Sequence, residues 1–166
     1  MNAILIALAV VSGGAESQIP PEMKVLERMV GIWKSTSVSR VAKWTPEETR
    51  STQTYKTELV LDGWFLHSKG FDEQEKPVNL QMFTYDPKKK TYRWWLFDSK
   101  GNAGESTGTW DEANQTLTLT NKAEGGIIGV MKIHFLDENT SEVKITWKEA
   151  DGTIGFQMEG RSTRQK

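Results

Sequence analysis

From about residue 31 onward the chain alternates apolar and polar side chains with a period of two, run after run, with turn residues between the runs. A period of two puts neighbouring side chains on opposite faces of an extended strand, so the pattern excludes a helical fold and calls for antiparallel sheet with one wet face. Tyr55, Thr57, Leu59 and Leu61 alternate with Lys56, Glu58 and Val60; Met131, Ile133 and Phe135 alternate with Lys132 and His134; Val143, Ile145 and Trp147 alternate with Lys144 and Thr146. Asp62-Gly63 and Asp151-Gly152 are tight-hairpin dipeptides, and Tyr85-Asp86-Pro87-Lys88 fits a type I turn with proline second. Ten strands are predicted, over 32–41, 51–61, 64–71, 78–85, 91–98, 104–110, 115–120, 127–136, 141–149 and 153–163. Consecutive hairpins make a meander, and closure removes its exposed edges. The expected fold is therefore all-β, an antiparallel meander β-barrel of about ten strands.

Two segments precede the strands. Pro20-Pro21 opens a short amphipathic helix in which Met23, Leu26, Met29 and Val30 share a face, and Gly31 ends it. Before that, Met1 to Ala15 carries no charged side chain; Ile4 to Val11 is an unbroken apolar run, and Ser12, Gly13, Gly14 and Ala15 are small. The run is too short to span a bilayer, and it has the character of a signal peptide cleaved near Ala15. Residues 1–15 are thus read as an export signal and 16–166 as one domain of an exported protein, periplasmic or secreted.

Composition narrows the function. The chain has 21 Lys+Arg against 22 Asp+Glu, a balance that disfavours nucleic acid as a partner. The absence of cysteine removes disulfides, thiolate catalysis and Cys-ligated zinc, and two histidines leave little for a His-rich metal site, so no metal is expected. Gly104-Glu105-Ser106-Thr107-Gly108 matches G-x-S-x-G literally, but that motif needs a strand, a strained turn and a helix; here another strand follows. Acidic pairs such as Glu47-Glu48 and Asp137-Glu138 fall in predicted turns and read as solvated loops. No convincing catalytic constellation emerges, and the protein is expected not to be an enzyme.

Gly31-Ile32-Trp33, where the helix meets the first strand, resembles the G-x-W signature of lipocalin-like (calycin) barrels. Leu61-Asp62-Gly63-Trp64, Tyr85-Asp86-Pro87, Asp98-Ser99, Gly108-Thr109 and Met158-Glu159-Gly160-Arg161 extend the likeness over roughly 24–164, and the whole resembles a bacterial family of exported lipocalin-like domains of unknown function. The resemblance implies that Trp33 plugs the closed end of the barrel, with Arg161 or Arg164 packed across it. Ten-strand barrels of this kind include haem-binding nitrobindin-like proteins, which use a histidine near the C-terminus; no histidine follows His134, and no cofactor is expected.

A barrel of about ten strands is wide enough to enclose a small-molecule cavity. The expected function is binding of a small apolar or amphipathic molecule there. One parity from each strand supplies the candidate liners Tyr55, Leu59, Trp64, Leu66, Met82, Trp94, Leu96, Phe156 and Met158. The strands 64–71, 78–85 and 91–98 are apolar on both faces, so His67, Tyr85 and Trp95 are candidates if their parity is reversed. Two other readings share the barrel: a calycin-type enzyme of isomerase or cyclase kind, and a module whose exposed tryptophans bind glycan or protein.

Overall fold

A computed structural model describes residues 18–166. The segment read as a signal peptide, 1–15, lies outside the described residues. The helix α1 spans Met23–Glu27, and the strands are β1 (Gly31–Ser39), β2 (Thr49–Val60), β3 (Phe65–Phe71), β4 (Pro77–Asp86), β5 (Thr91–Asp98), β6 (Ala103–Asp111), β7 (Thr116–Lys122), β8 (Ile128–Phe135), β9 (Thr140–Lys148) and β10 (Ile154–Arg164). Each strand pairs antiparallel with its sequence neighbours, and β1 pairs with β10, which closes the barrel. All ten predicted strands and the helix are present. A tight turn at Glu124–Gly126, with Gly125 and Gly126 at positive φ, joins β7 to β8.

The turn at Asp62-Gly63 begins one residue earlier than the dipeptide suggests. The Gly63 N–H donates to the Val60 carbonyl at 3.2 Å, and Leu61 and Asp62 take positive φ of 52° and 55°. Those two residues are the central pair of a hairpin turn that requires positive φ at both positions.

The two barrel ends differ. At one end α1 lies across the opening and inserts Met23 and Leu26, both fully buried, among Leu66, Phe83, Tyr92, Leu117, Leu119 and Phe135. Burial of an apolar side chain stabilises by about 1.5–3 kcal/mol, so the helix is held by what it covers and not by its own five residues. The Tyr92 hydroxyl donates to the Glu22 carbonyl at 3.0 Å, and the Trp33 indole donates to the Met29 carbonyl at 2.9 Å, which ties both ends of the helical segment to the barrel. At the same end the Arg164 guanidinium stacks 4.5 Å over the Trp33 ring, the pairing by which the G-x-W resemblance implies a plug. Arg161 has no part in it. It lies opposite Glu142, on the outer face, and pairs with that carboxylate at 3.4 Å. A second cation, Arg28, stacks 4.3 Å over Phe135 and donates to Gln115 at 2.6 Å.

Among the described residues no helix covers the other end. Its rim is formed by the connections 40–48, 72–76, 99–102, 123–127 and 149–153, and the side chains nearest it, such as Ser51, are exposed. Lys43 and Trp44 both bond Glu149, at 2.7 and 3.1 Å, which pins the longest rim connection over Gly155.

Candidate functional site

Between the plugged floor and the open rim the barrel is hollow. The cavity measures about 270 Å³, near the lower end of small-molecule sites, which run from about 300 to 1,000 Å³. Met29, Trp33 and Phe135 form its floor.

Its walls are of two kinds. On β1 to β4 the inward positions are mostly small or amide side chains, among them Ser35, Ser37, Gln53, Thr57, Asn79 and Gln81, with Trp33, Tyr55 and Phe83 as the aromatic exceptions. On β5, β8, β9 and β10 they are mostly apolar, Trp94, Leu96, Met131, Ile133, Val143, Ile145 and Met158, with Ser141 and Ser162 between them. The cavity is therefore amphipathic across its width. Among the described residues no charged side chain lines it, and Tyr55 is its one titratable residue.

The polar wall is wired together. Tyr55 donates to Gln53 Oε1 at 2.6 Å, Asn79 to the same oxygen at 3.4 Å, Gln81 to Asn79 at 3.1 Å and the Trp94 indole to Gln81 at 2.9 Å. Thr57 and Ser68 share a hydrogen bond of 2.8 Å beneath this row. Every buried side-chain nitrogen or oxygen among the described residues has a partner.

The candidate liners divide by depth and face. Tyr55, Trp94, Leu96 and Met158 line the cavity. Leu59 and Leu66 point inward but belong to the packed core at the plugged end, and Trp64 lies in the turn at that end, where its carbonyl accepts a hydrogen bond from Thr84 at 2.7 Å. Phe156 takes the inward parity of Met158 but sits opposite Trp147 near the rim, above the cavity. Met82 is a correction: it faces outward, because Phe83, Gln81 and Asn79 take the inward parity of β4. Reversed parity holds for Tyr85 alone, and it packs edge-on against Tyr92, 5.0 Å between centroids, outside the cavity lining. His67 and Trp95 are outward as well. His67, Met82 and Trp95 are successive partners across β3, β4 and β5, so they form one row on the outer surface. There His67 lies 3.5 Å from Glu58, and Trp95 stacks under Arg93.

The sequence reading missed the polar wall. Gln53 and Thr57 have the same parity as Tyr55, and Gln81 lies two residues from Trp94's partner Phe83, on the same face. The signal was there in the alternation, but a search for apolar and aromatic liners passes over amides and serines. Ser106 of the G-x-S-x-G match sits in mid-strand in β6, which continues extended to Asp111.

Burial pushes the Tyr55 and Tyr92 phenols above the ordinary tyrosine range, with the Glu22 carboxylate adding to the effect at Tyr92. An acid whose folded pKa is raised contributes stability that is intact below its unfolded pKa and is lost as pH rises through the folded one. The barrel is therefore expected to lose stability as pH climbs past about 10, with Tyr55→Phe reducing the loss. Urea midpoints measured from neutral to strongly alkaline pH test this; midpoints that stay level would contradict it.

The chain belongs to the family described as protein of unknown function (DUF1579), whose sequence model matches residues 19–164. No curated protein matches it. Among solved structures it is similar to Rv2717c from M. tuberculosis, with a TM-score of 0.60 and 12% identity over 90% of this chain and 100% of that one. It is also similar to the S-type phycobiliprotein lyase CPES from Guillardia theta, with a TM-score of 0.54 and 14% identity over 87% of this chain and 93% of that one. At such identities the likeness is one of fold.

Proposed function

We propose that this member of the DUF1579 family is an exported binding protein that holds a small amphipathic molecule inside its barrel and does no chemistry on it. The observation that carries this reading is the two-walled cavity, plugged at one end and open at the other. A strand interior lined by serines and amides is a poor packing surface, and its place in the fold is explained by contact with a ligand that has both apolar and hydrogen-bonding parts. One titratable liner, Tyr55, is too few for an acid and base pair. Export is supported by the uncharged apolar run before the domain.

Gly104 offers a clean test. It lies opposite the liner Leu96, so its Cα hydrogens face inward, and a Cβ there would meet nothing within 4 Å. Gly104→Trp should place an indole in the mouth with little cost to the fold. Wild-type protein is expected to bind the neutral solvatochromic dye Nile red with a blue-shifted emission, and Gly104→Trp to weaken it by about tenfold or more. Equal binding by both proteins would place the dye elsewhere and count against the cavity.

A further inference from the structure

We propose that the ligand is an uncharged molecule carrying a carbonyl or ether oxygen, and that the amide row Gln53–Asn79–Gln81 selects it through the Gln53 side-chain N–H groups. This rests on the cavity-binding reading above and goes further, to the chemical class bound.

The direction of the hydrogen bonds follows from one residue. An indole N–H can only donate. The atom of Gln81 that faces Trp94 at 2.9 Å is therefore its oxygen, which turns the Gln81 nitrogen toward Asn79. Asn79 must then present its oxygen to Gln81 and its nitrogen to Gln53. Gln53 Oε1 receives both Asn79 and the Tyr55 hydroxyl, so its acceptor capacity is filled. The row runs one way, and it ends on a Gln53 amide nitrogen that is not buried and has no hydrogen-bond partner among the described residues. A pair of N–H donors at the end of a fixed row recognises an oxygen acceptor.

Gly70 makes the row possible. It stands on β3 between Tyr55 of β2 and Asn79 of β4. A Cβ at Gly70 would come within 2.8 Å of the Asn79 amide and 2.9 Å of the Tyr55 ring. The missing side chain lets Asn79 reach across β3 to Gln53.

Charge selects next. A carboxylate could also accept from Gln53, but no cation among the described residues lines the cavity to offset its desolvation. An ammonium would meet no carboxylate. Tyr55 stays a neutral donor through the whole physiological range, so selection should not vary between about pH 5 and 9.

Three probes with one bicyclic skeleton separate the effects: 2-acetonaphthone carries the carbonyl, 2-naphthoate the charge, and 2-ethylnaphthalene neither. Calorimetric titration of wild type, Gln53→Met and Gln53→Glu reads them out. Acetonaphthone is expected to bind wild type at least about tenfold more tightly than naphthoate. Both variants are expected to weaken acetonaphthone about tenfold and ethylnaphthalene by much less, and thermal melts show that they are folded. Gln53→Glu keeps the shape of glutamine while removing the donors, so it serves if Gln53→Met does not fold. Naphthoate binding as tightly as the ketone, or equal losses for ketone and hydrocarbon, would overturn the proposal while leaving the cavity reading intact. Failure of all three probes to bind wild type would overturn the cavity reading and the proposal with it.

Discussion

Replacing Gly108 with alanine is expected to destabilise the barrel by about 3–5 kcal/mol, read as a drop of roughly 10 °C in melting temperature. The cause is a backbone collision. A Cβ at Gly108 would lie 1.8 Å from the Thr118 carbonyl oxygen and 2.8 Å from the Leu119 Cα. Both are main-chain atoms of β7, and Gly108 is registered opposite Leu119, so no side-chain rotation relieves the contact. Gly108 is held on its other flank too, since Thr91 Oγ1 accepts from its N–H at 3.2 Å and donates to its carbonyl at 2.9 Å. Alanine must therefore part β6 from β7. The same glycine ends the G-x-S-x-G match, which assigns that pattern to close strand packing. Ser106→Ala is the matching control and should change stability by no more than about 1 kcal/mol. A Gly108→Ala protein that melts with the wild type would show that the two strands do not approach as described.

Arg164→Ala is expected to cost about 3–4 kcal/mol in urea unfolding, although the residue is the third from the end of the chain. Its guanidinium covers Trp33 and donates to the carbonyls of Val30, Arg28 and Glu138, the last two at 2.9 and 3.1 Å. One side chain thus joins the end of the helical segment, the β8–β9 turn and the plug. Alanine removes the cation over the ring and strips partners from three carbonyls. Arg164→Lys should restore less than half of the loss, because an ammonium cannot fork to several acceptors. Arg161→Ala, with its exposed pair to Glu142, should cost at most about 1 kcal/mol. Equal effects at Arg161 and Arg164 would contradict the plug. Because Trp33 forms part of the cavity floor, Arg164→Ala should also weaken ligand binding more than its stability loss at working temperature explains.

The strands were legible because they end in turn chemistry and most of them alternate within. Asp151-Gly152 and Asp86-Pro87 mark hairpins by local backbone preference, which tertiary context does not override here. Facing was legible only where one parity is polar. In β4, Leu80 and Met82 compete with Phe83 and Tyr85, so hydrophobicity alone does not choose, and closure of the sheet does. The choice between Arg161 and Arg164 was already contained in the alternation. Met158, Gly160, Ser162 and Arg164 share a parity, so an inward Met158 carries Arg164 to the plug and Arg161 outside. The polar wall was obscured for a different reason. Ser35, Ser37 and Gln53 look like a wet outer face in sequence, and only a hollow interior puts such residues inside.

The most direct measurement is native mass spectrometry of the protein purified from its own host, wild type beside Gly104→Trp. If the barrel holds a small molecule, the wild type carries an added mass that denaturation releases, and the Gly104→Trp protein, folded but blocked at the mouth, carries none. Bare protein masses for both, from cells in which the protein is at work, would contradict a ligand in the cavity.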